Sequence, residues 1–259
     1  MNAQFDFTGK KVVITGAAGN YASWVAAAFH RANAELWLVD IDGKELENVA
    51  NTLTGSAKVY TSTMDLTVEE NIQQLQREME AAWQSPDFLI NTAALMPGSL
   101  MLDLSTEIFD KMFFLNVRTP FWMTKYMSQL MIKYEVKGAI VNFISRSSFV
   151  PRIGSVHYAT TKAALEIMSQ GHSMELAQYG IRVNSINPGF APFKRYNPPS
   201  KEYAQAVIKT IPLGRTSGPD DVPQTVMFLC SDNASYITGT TINVDGGSSA
   251  GSFNLPRRD

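Results

Sequence analysis

Residues 10–31 have the sequence KKVVITGAAGNYASWVAAAFHR, in which a β-branched run, a glycine-rich turn and an alanine-rich segment follow one another. Residues 10–16 predict a buried β-strand, and residues 21–31 predict an α-helix. A glycine-rich turn between them lets backbone N–H groups approach a pyrophosphate, and the helix N-terminus adds a partial positive charge. Such a turn is also a common way for a chain to leave a strand, but its position after the first strand favours a nucleotide site.

The same strand-then-helix order continues along the chain. Further strands are predicted at residues 35–39, 57–61, 88–91, 138–144, 181–186 and 241–244, and helices at 44–52, 68–83, 109–134, 155–179 and 221–230. This alternation predicts an α/β fold, a single domain over residues 1–259 with a parallel sheet of about seven strands covered on both faces. Residues 187–199 hold four prolines, and we interpret the region at about 190–214 as a substrate loop within that domain.

Composition excludes several classes of function. The net charge of −2 gives no electrostatic footprint for nucleic acid or for an anionic membrane surface. The single cysteine, Cys230, lies in an apolar run and predicts a core residue, and the three scattered histidines suggest no metal cluster. The N-terminus lacks the pattern of a signal peptide, and no apolar run reaches membrane-spanning length. We therefore expect a cytoplasmic protein without a metal.

Two acidic residues follow predicted strands on the nucleotide side. Asp40 ends the second strand, about twenty residues after the glycine turn, where a carboxylate binds the ribose hydroxyls of a dinucleotide. A carboxylate there repels the 2′-phosphate of NADP, and no basic residue stands near Gly19 or directly after Asp40, so we predict NAD. The alternative is an ordinary loop residue beside Asp42. Asp65 either accepts from the adenine amino group or caps the helix before Val68.

A tyrosine and a lysine stand four residues apart on a predicted helix, so that their side chains are neighbours. A free tyrosine titrates near pH ~10, and the ammonium of Lys162 is expected to lower the pKa of Tyr158. Tyr158 then removes a hydroxyl proton while hydride leaves the carbon. Chance also produces this spacing on solvated helices, but Ser145 ends a strand just upstream, where its hydroxyl holds the substrate oxygen. A serine-rich loop with Ser147 and Ser148 is the alternative.

Taken in order, these motifs resemble the short-chain dehydrogenase/reductase family from about residue 10 to residue 247. The matching positions are Thr15-Gly16 through Ala22, Asn91-Thr92-Ala93-Ala94, Asn116, Ser145, Tyr158, Lys162, Asn187-Pro188-Gly189, and Tyr236-Ile237-Thr238-Gly239 with Val244-Asp245-Gly246-Gly247. The resemblance implies a three-layer, doubly wound Rossmann-type sheet. It also implies a homodimer or homotetramer packed through the two long helices.

The resemblance also implies roles for individual residues. Tyr158 is the general acid/base, and Lys162 lowers its pKa and holds the nicotinamide ribose. Ser145 steadies the substrate oxygen, and Asn116 supports a proton-relay water. The implied contacts with NAD are Gly16, Gly19, Asn20, Tyr21, Asp40, Asp65, Leu66, Asn91, Ala93, Tyr158, Lys162, Pro188, Gly189 and Ala191.

The chain departs from the family pattern at the cofactor, while the catalytic set is intact. Asn20 and Ala22 replace the second and third glycines of the turn. Asparagine tolerates left-handed backbone, so we expect Asn20 to keep the shape of the turn. Thr92 and Ala94 alter the motif after the fourth strand, and Phe193 stands where many members have a threonine that bonds the carboxamide.

The expected wall of the substrate pocket consists of Met96, Ser147, Phe149, Arg152, Ser155, His157, Phe193, Lys194, Arg195 and Tyr196. Arg152 and Arg195 are candidates for binding a carboxylate or phosphate, although loop arginines are more often simply solvated. His157 is a candidate for bonding a polyol hydroxyl, without a catalytic role.

We therefore expect an NAD-dependent enzyme that interconverts a secondary alcohol, such as a sugar, polyol or cyclic alcohol, with its ketone. The altered glycines favour a second hypothesis, a nucleotide-binding regulatory protein without turnover, whereas the intact catalytic set favours the enzyme. A third hypothesis is a 3-oxoacyl-thioester reductase, against which Asp40 argues because such reductases usually prefer NADP.

Overall fold

Seven parallel strands form one twisted sheet in a computed structural model that describes residues 5–191 and 199–251. The strands are β1 (Lys11–Thr15), β2 (Glu35–Asp40), β3 (Val59–Thr63), β4 (Phe88–Asn91), β5 (Ala139–Phe143), β6 (Arg182–Pro188) and β7 (Thr241–Val244). Their order is β3-β2-β1-β4-β5-β6-β7. The chain winds outward from β1 in one direction and from β4 in the other, so a crevice opens at the carboxyl ends of β1 and β4.

Helices cover both faces of this sheet. They are α1 (Asn20–Arg31), α2 (Gly43–Thr52), α3 (Glu69–Trp83), α4 (Thr106–Phe113), α5 (Thr119–Lys133), α6 (Val156–Leu176), α7 (Lys201–Ile208) and α8 (Asp221–Cys230). Side chains alternate across a strand, so Val12 packs into one core with α1 and α8, and Val13 into another with α3 and α5. The predicted three-layer, doubly wound Rossmann-type fold is confirmed, as is the core position of Cys230.

Two regions differ from the elements that the sequence predicts. The helix predicted over 109–134 is interrupted by a π-helical segment, Phe114–Arg118, between α4 and α5. Helix α7 lies inside the predicted loop at about 190–214, and it begins where Ser200 caps it by accepting a hydrogen bond from the Tyr203 amide. The sequence does not predict this short helix, because the four prolines nearby form a cluster of the kind that indicates a loop.

Candidate active site

Tyr158 and Lys162 lie side by side near the start of α6, at the carboxyl edge of the sheet. Both are buried, with 8% and 2% of their surfaces exposed. The Lys162 Nζ donates to the carbonyl of Phe143, the last residue of β5, at 2.7 Å, and lies 5.9 Å from the centre of the Tyr158 ring. The helical spacing therefore brings the two groups together as predicted, and the lysine is held by the sheet.

Burial sets the titration of both groups. It lowers the pKa of the Lys162 ammonium to about 8 and raises the pKa of the Tyr158 phenol, which a hydrogen bond with Ser145 and the charge of Arg152 oppose. In the protein without cofactor, burial outweighs the groups that favour the phenolate, and the lowering of the phenol pKa by Lys162 stays a prediction for the cofactor-bound enzyme. At neutral pH the phenol therefore carries its proton.

Ser145 is oriented by the short turn that follows it. Its hydroxyl accepts a hydrogen bond from the Ser147 amide at 3.1 Å and bonds the Tyr158 phenol. The Ser148 hydroxyl donates to the Ser145 carbonyl at 2.6 Å. The neighbouring serines thus hold the loop in shape, while Ser145 faces the catalytic tyrosine.

Asn116 lies in the π-helical segment and is fully buried. Its Oδ1 accepts from the Leu95 amide at 2.7 Å, and its Nδ2 donates to the Leu95 carbonyl at 2.9 Å and to the Thr161 hydroxyl at 3.0 Å. Since an amide has two donors and two acceptor lone pairs, one lone pair of Oδ1 is left. Asn116 therefore ties the chain after β4 to α6, directly behind Tyr158. Its role with a relay water stays a prediction.

The glycine turn has the shape that a close backbone approach requires. Gly16 has φ +63°, and a Cβ there would lie 2.7 Å from the Ala93 Cα. Gly19 caps α1 without a side chain, and Asn20 is the first residue of the helix, outside the left-handed region. The expected left-handed role of Asn20 is therefore wrong, because the helix has already begun there. Ala22 is buried in the core against the sheet, as its motif position predicts.

The carboxylates of Asp40 and Asp65 accept hydrogen bonds from different parts of the chain. The Asp40 carboxylate accepts from the Ala18 amide of the glycine turn and from the Asp42 amide, both at 3.0 Å. It is therefore fixed against the turn, and each oxygen has a further lone pair for a ligand. Asp65 accepts from the amide and hydroxyl of Thr67 at 2.8 and 2.7 Å. These bonds hold a turn before α3, which begins at Glu69 after Val68 without a side-chain cap, so Asp65 does not cap the helix, and its contact with adenine stays a prediction.

Side chains of the altered motif after β4 form hydrogen bonds that link the ends of neighbouring strands at the bottom of the crevice. The Thr92 hydroxyl donates to the Thr15 carbonyl, and the Thr92 amide donates back to the Thr15 hydroxyl at 3.2 Å. The Asn91 side chain bonds Asn142 on β5 at 2.8 Å. The ends of β1, β4 and β5 are thus joined although Thr92 departs from the family pattern. Leu66 is buried, and its carbonyl accepts from the hydroxyl of Thr119.

The structure assigns Tyr21 a contact that the sequence does not reveal. Its hydroxyl donates to the Gly189 carbonyl at 2.5 Å, and burial raises its pKa. Its ring centre lies 6.1 Å from that of Phe143 and 5.5 Å from that of Trp24. Tyr21 thus bridges the start of α1 and the chain after β6, across the crevice. Pro188 ends β6, and Ala191 is buried beyond it.

The residues of the predicted substrate wall differ in exposure and in their hydrogen-bond partners. Met96 and Phe149 are each 46% exposed, and the Arg152 guanidinium donates to the Tyr203 hydroxyl at 2.6 Å. His157 is buried, with Nε2 2.8 Å from the Pro97 carbonyl. It lines a cavity of about 320 Å³ between α4 and α6, and its expected contact with a polyol hydroxyl stays a prediction. Residues 193–196, including Phe193, Lys194, Arg195 and Tyr196, lie outside the described residues.

Within residues 5–191 and 199–251, no helix is long and apolar enough to cross a bilayer. Over the same ranges, no group of three or more His, Cys, Asp or Glu side chains is arranged to hold a metal ion.

Known proteins match this chain over most of its length. A family profile described as enoyl-(acyl carrier protein) reductase matches residues 16–249. The 3-oxoacyl-(acyl-carrier-protein) reductase FabG of Rickettsia typhi is 31% identical over 242 residues, covering 93% of this chain and 98% of the relative. The protein of the same name from Aquifex aeolicus is 32% identical over 241 residues, with coverage of 92% and 97%.

Solved structures share the fold and the family description. A short-chain type dehydrogenase/reductase from Mycobacterium marinum superposes with a TM-score of 0.87 at 28% identity, covering 95% of this chain and 97% of that one. A short-chain dehydrogenase from Bacillus anthracis gives a TM-score of 0.88 at 28% identity, covering 95% and 98%. These matches agree with the sheet order and with the cluster of Ser145, Tyr158 and Lys162. The chain therefore belongs to the short-chain dehydrogenase/reductase family of oxidoreductases, which act on hydroxyl and carbonyl groups.

Proposed function

We propose that the protein interconverts a secondary alcohol and its ketone with NAD, using Tyr158 as the general acid/base. The observation that carries this proposal is the cluster of the partly buried Ser145 with the buried Tyr158 and Lys162 at the carboxyl edge of the sheet, beside the glycine turn. A proton donor, a hydroxyl that bonds it and a fixed positive charge are the groups that carbonyl chemistry needs.

The residues of the crevice fit a dinucleotide. At Gly16 the backbone lies so close to Ala93 that a side chain has no room, and Gly19 leaves the start of α1 without a side-chain cap. Such a helix start favours a pyrophosphate. On the proposed assignment, Asp40 holds the ribose of the adenosine half, and Tyr21 and Gly189 flank the nicotinamide half. Bound NAD supplies hydride acceptance, and the protein supplies proton transfer and orientation.

At neutral pH Tyr158 is in the protonated form that reduction needs, and oxidation requires its phenolate. In reduction, the phenol gives its proton to the ketone oxygen, which Ser145 holds by a second hydrogen bond. In oxidation, the phenolate takes the hydroxyl proton as the C–H bond breaks. Lys162 and Arg152 carry positive charges near the phenol. These charges stabilise the phenolate compared with a buried phenolate that has no positive charge nearby.

The preference for NAD rests on Asp40. Its carboxylate is held against the turn by the Ala18 amide. A second negative charge at that position, the 2′-phosphate of NADP, meets electrostatic repulsion. The substrate classes that we propose first are sugars, polyols and cyclic alcohols.

A 3-oxoacyl-thioester reductase is the second candidate, favoured by the names of the curated relatives. For either activity we propose a homodimer or homotetramer packed through α5 and α6. Exposed apolar side chains on those helices support it, among them Phe121, Ile167 and Met174.

A substrate screen tests the proposal. The purified chain is assayed with NAD and NADP on secondary alcohols, sugars and sugar acids, and with NADH and NADPH on ketones and 3-oxoacyl thioesters. We expect turnover of a secondary alcohol with NAD. Turnover confined to thioesters with NADPH supports the second candidate, and NAD binding without turnover on any compound supports a regulatory nucleotide-binding protein.

A further inference from the structure

Arg152 lies in the loop that connects Ser145 to Tyr158, and its backbone is fixed close to the catalytic helix. The Arg152 carbonyl accepts from both the amide and the hydroxyl of Ser155, each at 3.1 Å. Ser155 is the residue directly before α6. The position of Arg152 is therefore set by the same helix start that positions Tyr158.

The guanidinium of Arg152 reaches from this loop to α7. One of its nitrogens donates to the Tyr203 hydroxyl at 2.6 Å. The Tyr203 ring makes an edge contact with Phe190, at 6.4 Å between ring centres, and Phe190 directly follows Gly189. Arg152 and Tyr203 thus connect the two chain segments that flank the catalytic centre, one before α6 and one after β6.

The charge of Arg152 has no carboxylate partner within the part of the chain that the structure describes. Arg215 shows the alternative, because both of its terminal nitrogens bond the Asp221 carboxylate, at 2.6 and 2.7 Å. A guanidinium has five N–H donors, and Arg152 directs one of them to a neutral phenol. The side chain is exposed and lies between exposed apolar neighbours such as Phe149 and Ile153. Its remaining donors are therefore free for a ligand at the mouth of the site.

We propose that Arg152 and Tyr203 form an oxyanion-binding subsite, which selects alcohols or ketones that carry a carboxylate or phosphate group. This inference rests on the proposed oxidoreductase function of the same site. A guanidinium binds either oxyanion with paired donors, and a phenol hydroxyl adds a third. The anion anchors the substrate at the loop, while its carbonyl or hydroxyl group reaches Tyr158.

Matched charged and neutral ketones test the subsite. The pairs are acetoacetate with ethyl acetoacetate, 4-oxopentanoate with its ethyl ester, and dihydroxyacetone phosphate with dihydroxyacetone, each with NADH. The carboxylate and phosphate pairs separate the two sources of an oxyanion. The proteins are wild type, Arg152→Gln, Arg152→Lys, Tyr203→Phe and, as a matched control, Arg77→Gln, since Arg77 is an exposed arginine on α3.

We expect the wild type to prefer the charged member of at least one pair in kcat/KM. Arg152→Gln lowers kcat/KM for that member about tenfold more than for the neutral member, as expected for loss of a charge-assisted hydrogen bond, and any loss shared by both members reflects the charge of Arg152 near the Tyr158 phenol. Arg152→Lys recovers part of the loss, Tyr203→Phe shows a smaller one, and Arg77→Gln leaves both members unchanged. Equal loss on both members, or no preference for charge in the wild type, overturns the subsite.

A binding measurement separates this proposal from the proposed function. The same compounds are titrated into the enzyme–NADH complex, and the fluorescence of bound NADH is followed. Binding of the charged members that weakens about tenfold in Arg152→Gln supports the subsite even without turnover, in which case the proposed reaction fails. Turnover that ignores charge rejects the subsite and leaves the reaction standing. Binding of neither member, or binding that Arg152→Gln does not change, overturns the subsite.

Discussion

Replacing Lys162 by methionine is expected to stop turnover and to make the cofactor-free protein more stable. Lys162 is 2% exposed, and burial lowers its pKa from 10.5 to about 8, so it carries its charge at pH 7 in an apolar surrounding. Methionine has a similar length and no charge. The variant therefore removes the burial penalty together with the catalytic group.

The size of the effect follows from two opposing terms. A pKa lowered from 10.5 to about 8 corresponds to a penalty of about 3 kcal/mol at pH 7, at ~1.4 kcal/mol per pH unit. Methionine leaves the Phe143 carbonyl without its donor, which costs about 1–3 kcal/mol. The net gain is on the order of 1 kcal/mol. For a chain of this size it raises Tm by about 2–4 °C.

The gain depends on pH in a defined direction. Below pH 8 the lysine is protonated in both the folded and the unfolded chain, so the wild type bears the full penalty. Between about 8 and 10.5 the folded protein loses the proton while the unfolded chain keeps it, and the wild type gains stability as pH rises. The advantage of Lys162→Met therefore shrinks over that window.

Thermal unfolding without cofactor is followed by circular dichroism at several pH values from about 7 to 10. It measures the higher stability of Lys162→Met at pH 7 and the decrease of that advantage as the pH rises. Lys44→Met is the matched control, because Lys44 is exposed and its removal relieves no burial penalty. A Lys162→Met variant less stable than the wild type at pH 7, or a Tm difference independent of pH, refutes the reasoning.

Two further variants test the cofactor side. Asp40→Ala removes the charge that opposes the 2′-phosphate, so the ratio of the NADP dissociation constant to the NAD dissociation constant should fall by about tenfold. A wild type that already binds NADP more tightly than NAD contradicts this role of Asp40. Tyr21→Phe keeps the ring but loses the bond to Gly189, so NADH should bind about fivefold more weakly in a fluorescence titration. The matched control Tyr179→Phe, at a half-exposed tyrosine, should leave NADH binding unchanged, and equal affinities in the two variants count against the bridge.

The sequence predicts the fold well because local pattern and global architecture agree. The β-branched run 10–16 and the apolar run 35–39 form buried strands, and turn chemistry marks the start of α1. The helical spacing of Tyr158 and Lys162 also survives folding, because both residues lie within one regular element.

The parts that the sequence misses depend on contacts between distant residues. The Tyr21–Gly189 bond joins groups 168 positions apart, and the bond between Arg152 and Tyr203 joins groups 51 apart. Periodic patterns in the sequence do not show which distant residues will be in contact. The pKa of Tyr158 belongs to the same class, because burial is the largest influence on it and burial depends on the whole fold.

The most direct measurement compares wild type and Tyr158→Phe in a single turnover with the best substrate from the screen. Phenylalanine keeps the ring and removes the proton that the reaction moves, so we predict that hydride transfer, followed by NADH absorbance, falls by about a thousandfold or more. NADH binding should stay within about twofold of the wild type, because phenylalanine keeps the ring and loses a single hydroxyl among the many expected contacts with the nucleotide. A single-turnover rate within about tenfold of the wild type would contradict the assignment of Tyr158 as the general acid/base.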